Sequence, residues 1–285
     1  MHEIIHLDKP YQFARALKRI QMDPLIQVVP EEETLHLPMW IHDQPEVITV
    51  QRMRDGAFHI RGRNGVDIDE VFRQLRRILQ WEAPLVEAAE ALQKTELAPL
   101  FPGMTGVPLI GEFQLYGALM KTIIHQQLNM TFAYTLSTRF VQTFGFEKEG
   151  VWFYPRPETT AGLQVEDLRK LQFSGRKAEY VIDTSKKAAS GELNLEEMMQ
   201  EPDEVIIKKL TAVRGIGRWT AENMLMFGYG RRDLFPVQDI GILNALKKLR
   251  GTTEKPDKDL LDFEAQAFAP YRTYAALYLW ESIEG

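Results

Sequence analysis

The sequence predicts a mainly α protein that opens with a small α+β unit built on an antiparallel sheet. Three observations carry this prediction. Residues 46–54 and 57–62 alternate like strands on either side of Asp55-Gly56, a two-residue hairpin signal. From residue 84 onward apolar side chains recur at spacings of three and four, the helical period. Within that helical part, residues 205–228 read as two helices joined by Gly215-Ile216-Gly217.

Taken in order, residues 2–6 alternate as a strand and residues 10–20 have helical spacing. Asp67-Ile68-Asp69-Glu70 opens a helix whose apolar positions are Val71, Phe72, Leu75, Ile78 and Leu79. His2, His6, His36, His42 and His59 are scattered here without a constellation, and structural or surface roles are expected for them. Helices over 112–125 and 129–144 flank Gln126-Gln127-Leu128, and Asn129 is placed to cap the second. Phe173-Ser174-Gly175 marks a turn inside 168–189. The helices around the Gly-X-Gly turn bury Ile206, Leu210 and Val213 on one side and Ala221, Met224 and Phe227 on the other, with Gly228 and Gly230 as a stop. The last helix, near 270–282, carries Tyr271, Tyr274 and Tyr278 at helical spacing. Core packing is the expectation for Tyr274, Tyr278 and Trp280.

Composition narrows the chemistry. The 285 residues include no cysteine, which removes disulfides, thiol catalysis and Cys-ligated zinc or iron–sulfur clusters. No apolar run suits a bilayer span, and the first residues lack a basic stretch followed by an apolar one, so a cytoplasmic protein with no membrane partner is expected. The formal net charge of −6 has the wrong sign for bulk attraction to nucleic acid. Its distribution tells more. Residues 205–235 hold six bases against two acids and residues 169–187 do the same, each island net +4, while residues 192–204 hold six acids and no base. Each island could be a solvated helix face. Two of them, one overlapping the hairpin, favour local phosphate contacts of modest affinity.

The hairpin supplies the reason for such contacts. Glycine lets the backbone turn tightly and approach an anion, and the N–H groups that open the next helix are unpaired donors at a positive dipole end. Trp219 lies just inside that helix, and Asp239 follows twenty residues later. Asp239, before Ile240-Gly241-Ile242-Leu243, has an ordinary role available as a helix N-cap, which is compatible with facing a cleft. The result is a DNA-binding hairpin with an acid delivered beside it.

Val213, Gly215, Ile216, Gly217, Trp219, Thr220 and Ala221, with Asp239 in Phe235-Pro236-Val237-Gln238-Asp239, resemble the helix–hairpin–helix DNA glycosylases, and within them the DNA-3-methyladenine glycosylase II group. The resemblance covers roughly 110–285. Arg214 stands where the family has Pro. The family fold implies two helical subdomains with a cleft between them: 84–114 plus 233–285, and 115–232 with the hairpin at 205–228, after an N-terminal α+β domain over 1–83.

The same resemblance assigns roles. Asp239 is the catalytic carboxylate. Trp219 occupies the position at which bifunctional members carry the Lys that forms a Schiff base, so hydrolysis without a lyase step is implied. Trp219 and Tyr271, the latter in Pro270-Tyr271-Arg272-Thr273-Tyr274, would line a pocket for a cationic base. Asn223 replaces an aromatic and makes that pocket more polar. Gln126 and Gln127 match the pair at the inter-helix turn, Gln127 being the wedge that fills the gap left by a flipped nucleotide; a plain solvent-exposed turn is the alternative. DNA contacts are expected from Gln126, Gln127, Arg214, Gly215, Ile216, Gly217, Arg218 and Thr220. A monovalent Na+ or K+ would sit on the carbonyls of Thr211, Val213 and Gly215, with no other cofactor and no iron–sulfur cluster. The implied partner is double-stranded DNA containing alkylated bases, met by a monomer, nucleoid-associated if bacterial. The competing expectations are a glycosylase for oxidised or deaminated bases and a non-catalytic DNA-binding module.

Overall fold

The computed structural model describes residues 1–254 and 256–284. The first unit is a five-stranded antiparallel sheet in the order β1-β5-β4-β3-β2, with β1 His2–Ile5, β2 Gln27–Val29, β3 Thr34–Ile41, β4 Gln44–Arg52 and β5 Phe58–Arg61. Helix α1 (Phe13–Ile20) precedes β2, and α2 (Ile68–Leu79) follows β5, opened by Asp67, whose side chain accepts the Glu70 N–H. Strands β2 and β3 had no clear sequence signature, because Pro38 interrupts the apolar run. Pro38 is tolerated since β2 pairs only with residues 34–36 of β3, which leaves Pro38 on an open edge. Leu35, Leu37 and Met39 alternate inward and are fully buried.

After α3 (Leu85–Leu92) come α4 (Leu115–His125) and α5 (Met130–Phe144). Asn129 caps α5 by accepting the Phe132 N–H at 2.9 Å, as its position suggested. The nearly all-helical remainder that the sequence predicts has one exception: β6 (Phe146–Lys148) and β7 (Val151–Phe153) form a hairpin. Glu149 and Gly150 both have positive φ, the twist that joins two strands through two residues. Its apolar side packs on Trp40 of the first sheet. Helices α6 (Pro157–Ala161), α7 (Val165–Lys170), α8 (Gly175–Ala189), α9 (Leu195–Met198), α10 (Asp203–Thr211) and α11 (Arg218–Asn223) follow. A π-helical turn over Met224–Gly228 extends α11. Helices α12 (Ile240–Arg250), α13 (Lys258–Glu264) and α14 (Arg272–Glu284) close the chain.

Two large apolar cores organise these elements. One joins the first sheet, α2 and α3 with Ile242, Leu246, Tyr274 and Tyr278 of the C-terminal helices, so the N-terminal unit and the C-terminal helices share a core. The other gathers α4, α5, α8, α10 and α11. Arg77 of α2 ties the two together: its guanidinium donates to the carbonyls of Glu112, Phe113 and Gly228. Burial pushes Arg77 down to about 10, still protonated at neutral pH. Among the described residues no helix is long and apolar enough to cross a membrane.

Candidate active site

A cleft of about 870 Å³ opens where the hairpin, the 126–129 turn, the start of α12 and α1 meet. The hairpin is shaped by its glycines. Gly215 has φ +92, and a Cβ there would lie 2.2 Å from the Tyr180 ring, so both conformation and space demand glycine. Gly217 is the N-cap of α11, and a Cβ there would meet nothing within 4 Å. Gly217 thus leaves the start of α11 without a side chain of its own, which suits close approach of a phosphate.

Asp239 caps α12. Its Oδ1 accepts the Ile242 N–H at 3.1 Å and the Trp280 indole N–H at 3.0 Å; its Oδ2 accepts the Trp219 indole N–H at 3.3 Å. The ordinary and the chemical roles thus coexist in one side chain. Oδ1 is committed to two donors, whereas Oδ2 has one long bond and keeps lone pairs for the cleft. The approach of Trp280 depends on Gly241, where a Cβ would stand 3.0 Å from both Asp239 Oδ1 and the Trp280 ring.

Trp219, Asn223, Gln126, Gln127, Gly215, Gly217 and Thr220 all line this cleft with Asp239. Asn223 turns its amide back onto the Trp219 carbonyl at 2.8 Å. Gln127 is exposed at positive φ (56°) on the turn. Gln126 also braces the turn against the hairpin: its amide donates to Gly215 O at 2.9 Å and Thr220 Oγ1 at 2.8 Å. Lys177 braces the same turn from α8 by donating to the carbonyls of Ile124 and Gln126. Thr220 and Ile216 are buried, so their side chains serve the fold. Arg214 and Arg218 are each paired: Arg214 with Glu179 (2.6 Å) and Asp183 (3.5 Å), Arg218 with Glu222 (2.8 Å). The positive charge counted along the sequence is partly compensated in space. Of the carbonyls expected to hold a cation, that of Gly215 accepts the Gln126 amide and that of Val213 accepts the Ile216 N–H.

Tyr271 is the one expected pocket residue that stands apart. It is half-buried against the C-terminal core and does not line the cleft. Helix α14 starts only at Arg272, which is fixed by its guanidinium to Asp233 at 2.7 and 3.0 Å. Helix α14 delivers Trp280 and Glu281 to the cleft, Trp280 a little over two turns from the start of the helix. Trp280 packs in the core as expected and lines the cleft as well; the cue to this second role is that it lies two residues after Tyr278 and so off the face shared by Tyr271, Tyr274 and Tyr278. Phe227 completes an aromatic wall, its ring 5.8 Å from that of Trp280.

The sequence reading assigned no residue of the N-terminal unit to the site, yet α1 forms one wall. The Arg19 guanidinium lies 5.4 Å from the Trp280 ring centre, and Asp23 reaches Lys121 of α4 at 2.8 Å. Lys121 also binds Glu112 at 2.8 Å. Burial lowers the pKa of the Lys121 amine, but the Asp23 and Glu112 carboxylates outweigh it and hold the amine well above its usual value.

A family model described as the HhH-GPD superfamily base excision DNA repair protein matches residues 120–270. The Bacillus subtilis protein YfjP, provisionally named a DNA-3-methyladenine glycosylase, is 44% identical over 99% of both chains. The 3-methyladenine DNA glycosylase of Archaeoglobus fulgidus superposes with a TM-score of 0.86 over 98% of this chain and 97% of its own, at 23% identity. The Schizosaccharomyces pombe enzyme Mag1, a 3-methyladenine DNA glycosylase solved with abasic DNA, gives a TM-score of 0.59 at 28% identity, covering 68% of this chain and 95% of that one.

Proposed function

Because the chain belongs to the HhH-GPD superfamily of base excision DNA repair proteins, we propose that it is a monofunctional glycosylase that releases alkylated purines, 3-methyladenine and 7-methylguanine among them, from double-stranded DNA. The observation that carries this reading is the Asp239 carboxylate, held in the cleft by two indole N–H groups.

The chemistry follows from that geometry. A base in the stack cannot reach Asp239, so the nucleotide turns out of the duplex, with Gln127 at the cleft rim as the group that fills the gap. The hairpin N–H groups at Gly217 hold the flanking phosphate. Trp219, Phe227 and Trp280 offer apolar faces to the base. As the glycosidic bond stretches, positive charge grows on the sugar and Asp239 Oδ2 opposes it. The same oxygen accepts a proton from the water that attacks C1′. Trp219 has no nucleophile to offer, which supports hydrolysis without strand cleavage. The carbonyls of Thr211, Val213 and Gly215 are the groups that would hold a monovalent cation; the hydrogen bonds that Val213 and Gly215 accept leave each oxygen a second lone pair for it, and no step runs through the ion.

The test is incubation of the purified protein with methylated duplex DNA. Alkali-labile sites should accumulate, the strand should stay intact before alkali, and borohydride should trap no adduct. Intact methylated DNA after alkali would refute the glycosylase reading, and a trapped adduct would refute the monofunctional one.

A further inference from the structure

We infer that the ion triad Asp23–Lys121–Glu112 selects bases that carry a formal positive charge, with Glu112 as the specificity-determining residue. This inference rests on the glycosylase reading and names the charge class of its substrate.

The triad places one ammonium between two carboxylates, each at 2.8 Å, so its formal charge is −1. Both Asp23 oxygens are spent, one on Lys121 and one on the Leu25 N–H. Glu112 is different. Its Oε1 meets Lys121, no donor among the described residues reaches Oε2, and its side chain is 28% exposed. His125, one turn along α4 from Lys121, cannot supply the missing charge, because burial and then the Lys121 ammonium push its ring down to about 3. The whole lining tells the same story. Arg19 and Lys121 face Asp23, Glu112, Asp239 and Glu281, and Glu281 is paired with Arg15 outside the lining. The triad thus brings a net negative charge to the lining.

The placement makes that charge useful. The Glu112 N–H donates to the Phe227 carbonyl at 2.7 Å, and the Phe227 ring packs beside Trp280, whose indole holds Asp239. Glu112, Phe227, Trp280 and Asp239 line the same cleft, so a purine stacked on these rings shares that cleft with the Glu112 carboxylate. Buried charge seeks compensation, and a base made cationic by ring-nitrogen alkylation supplies it where a neutral base does not.

The test uses the full chain and two readouts. Excision of 7-methylguanine, a cationic lesion, is compared with excision of hypoxanthine, a neutral one, in the wild type, Glu112→Gln and Glu112→Asp. Removing a unit charge a few ångströms from a partly buried cation should lower the 7-methylguanine to hypoxanthine ratio about tenfold, and Asp should restore most of it. Binding of 7,9-dimethylguaninium and of 9-methylguanine, read by tryptophan fluorescence, should show the same loss for the cation alone. Equal effects on cationic and neutral ligands, or no effect on either, would overturn the inference. Cation-selective binding without release of methylated bases would instead refute the glycosylase reading and leave this one standing.

Discussion

Asp239 and Asp23 are carboxylates of the same cleft, and their surroundings could hardly differ more. Asp239 is solvated by neutral donors: one backbone N–H and two indole N–H groups. Asp23 is locked to a buried ammonium, and although burial opposes its ionisation, the charge of Lys121 and the Leu25 N–H hold its carboxyl below the usual range. Dipoles fix a carboxylate in place without cancelling its charge, whereas an ion pair consumes it. Only the first arrangement leaves a full negative charge to meet an incipient sugar cation.

The most direct way to break the contrast is Asp239→Asn, which keeps the cap but removes the charge. Loss of roughly 3–4 kcal/mol of transition-state stabilisation should slow base release about 10²–10³-fold in single-turnover assays, with little change in Tm. Next comes Trp280→Phe, which deletes the 3.0 Å donor while keeping an aromatic ring. A hydrogen bond to a charged group contributes about 1.5–3 kcal/mol, so release should slow roughly 10- to 100-fold. An unaltered rate would mean that the indole only fills space.

The other end of the cleft predicts a pH dependence. Burial, then Lys121, holds His125 at about 3 when folded, against 6.5 when exposed. Between these values the unfolded chain binds a proton that the folded chain refuses, so stability falls as pH drops through that window, by up to about 1.4 kcal/mol per pH unit. Denaturant titrations from pH 7 to pH 4 should show this slope, and His125→Gln should flatten it. The smallest effect is expected from Gly241→Ala. Its Cβ would press on Trp280 and Asp239 at 3.0 Å, so the indole must yield a few tenths of an ångström. A loss of about threefold in release rate should accompany near-unchanged stability, because helix propensity offsets the crowding.

The same two ends differ in how far they could be read in advance. The hairpin end is written in local cues: glycines at a helix start, a Trp just inside it, an acid able to cap the next helix. Asn129, Asp239 and the presence of a hairpin at Asp55-Gly56 were legible for that reason, although the loop holds three residues, Arg54 to Gly56, closed by the Met53 N–H on the Ala57 carbonyl, rather than the two expected. The N-terminal wall is written in contacts between distant residues. Asp23 meets Lys121, and Trp280 meets Asp239, with no periodicity that announces either meeting. Tyr271 illustrates the same limit. Motif resemblance pointed to it, but the start of α14 decides which aromatic enters the cleft. The pairing of Arg214 and Arg218 with acids was equally invisible to a count of charges along the chain.

The core shared by the first sheet and the C-terminal helices has a consequence for cooperativity. Residues as far apart as Phe13 and Tyr278 belong to one apolar cluster, and Arg77 fastens α2 to the carbonyls of Glu112 and Gly228 in the helical part. Melting the sheet strips the floor from beneath α14, so the N-terminal unit cannot unfold while Trp280 stays on Asp239. Calorimetry should record one transition rather than two, and a chain cut before residue 84 should lose its catalytic geometry along with its sheet.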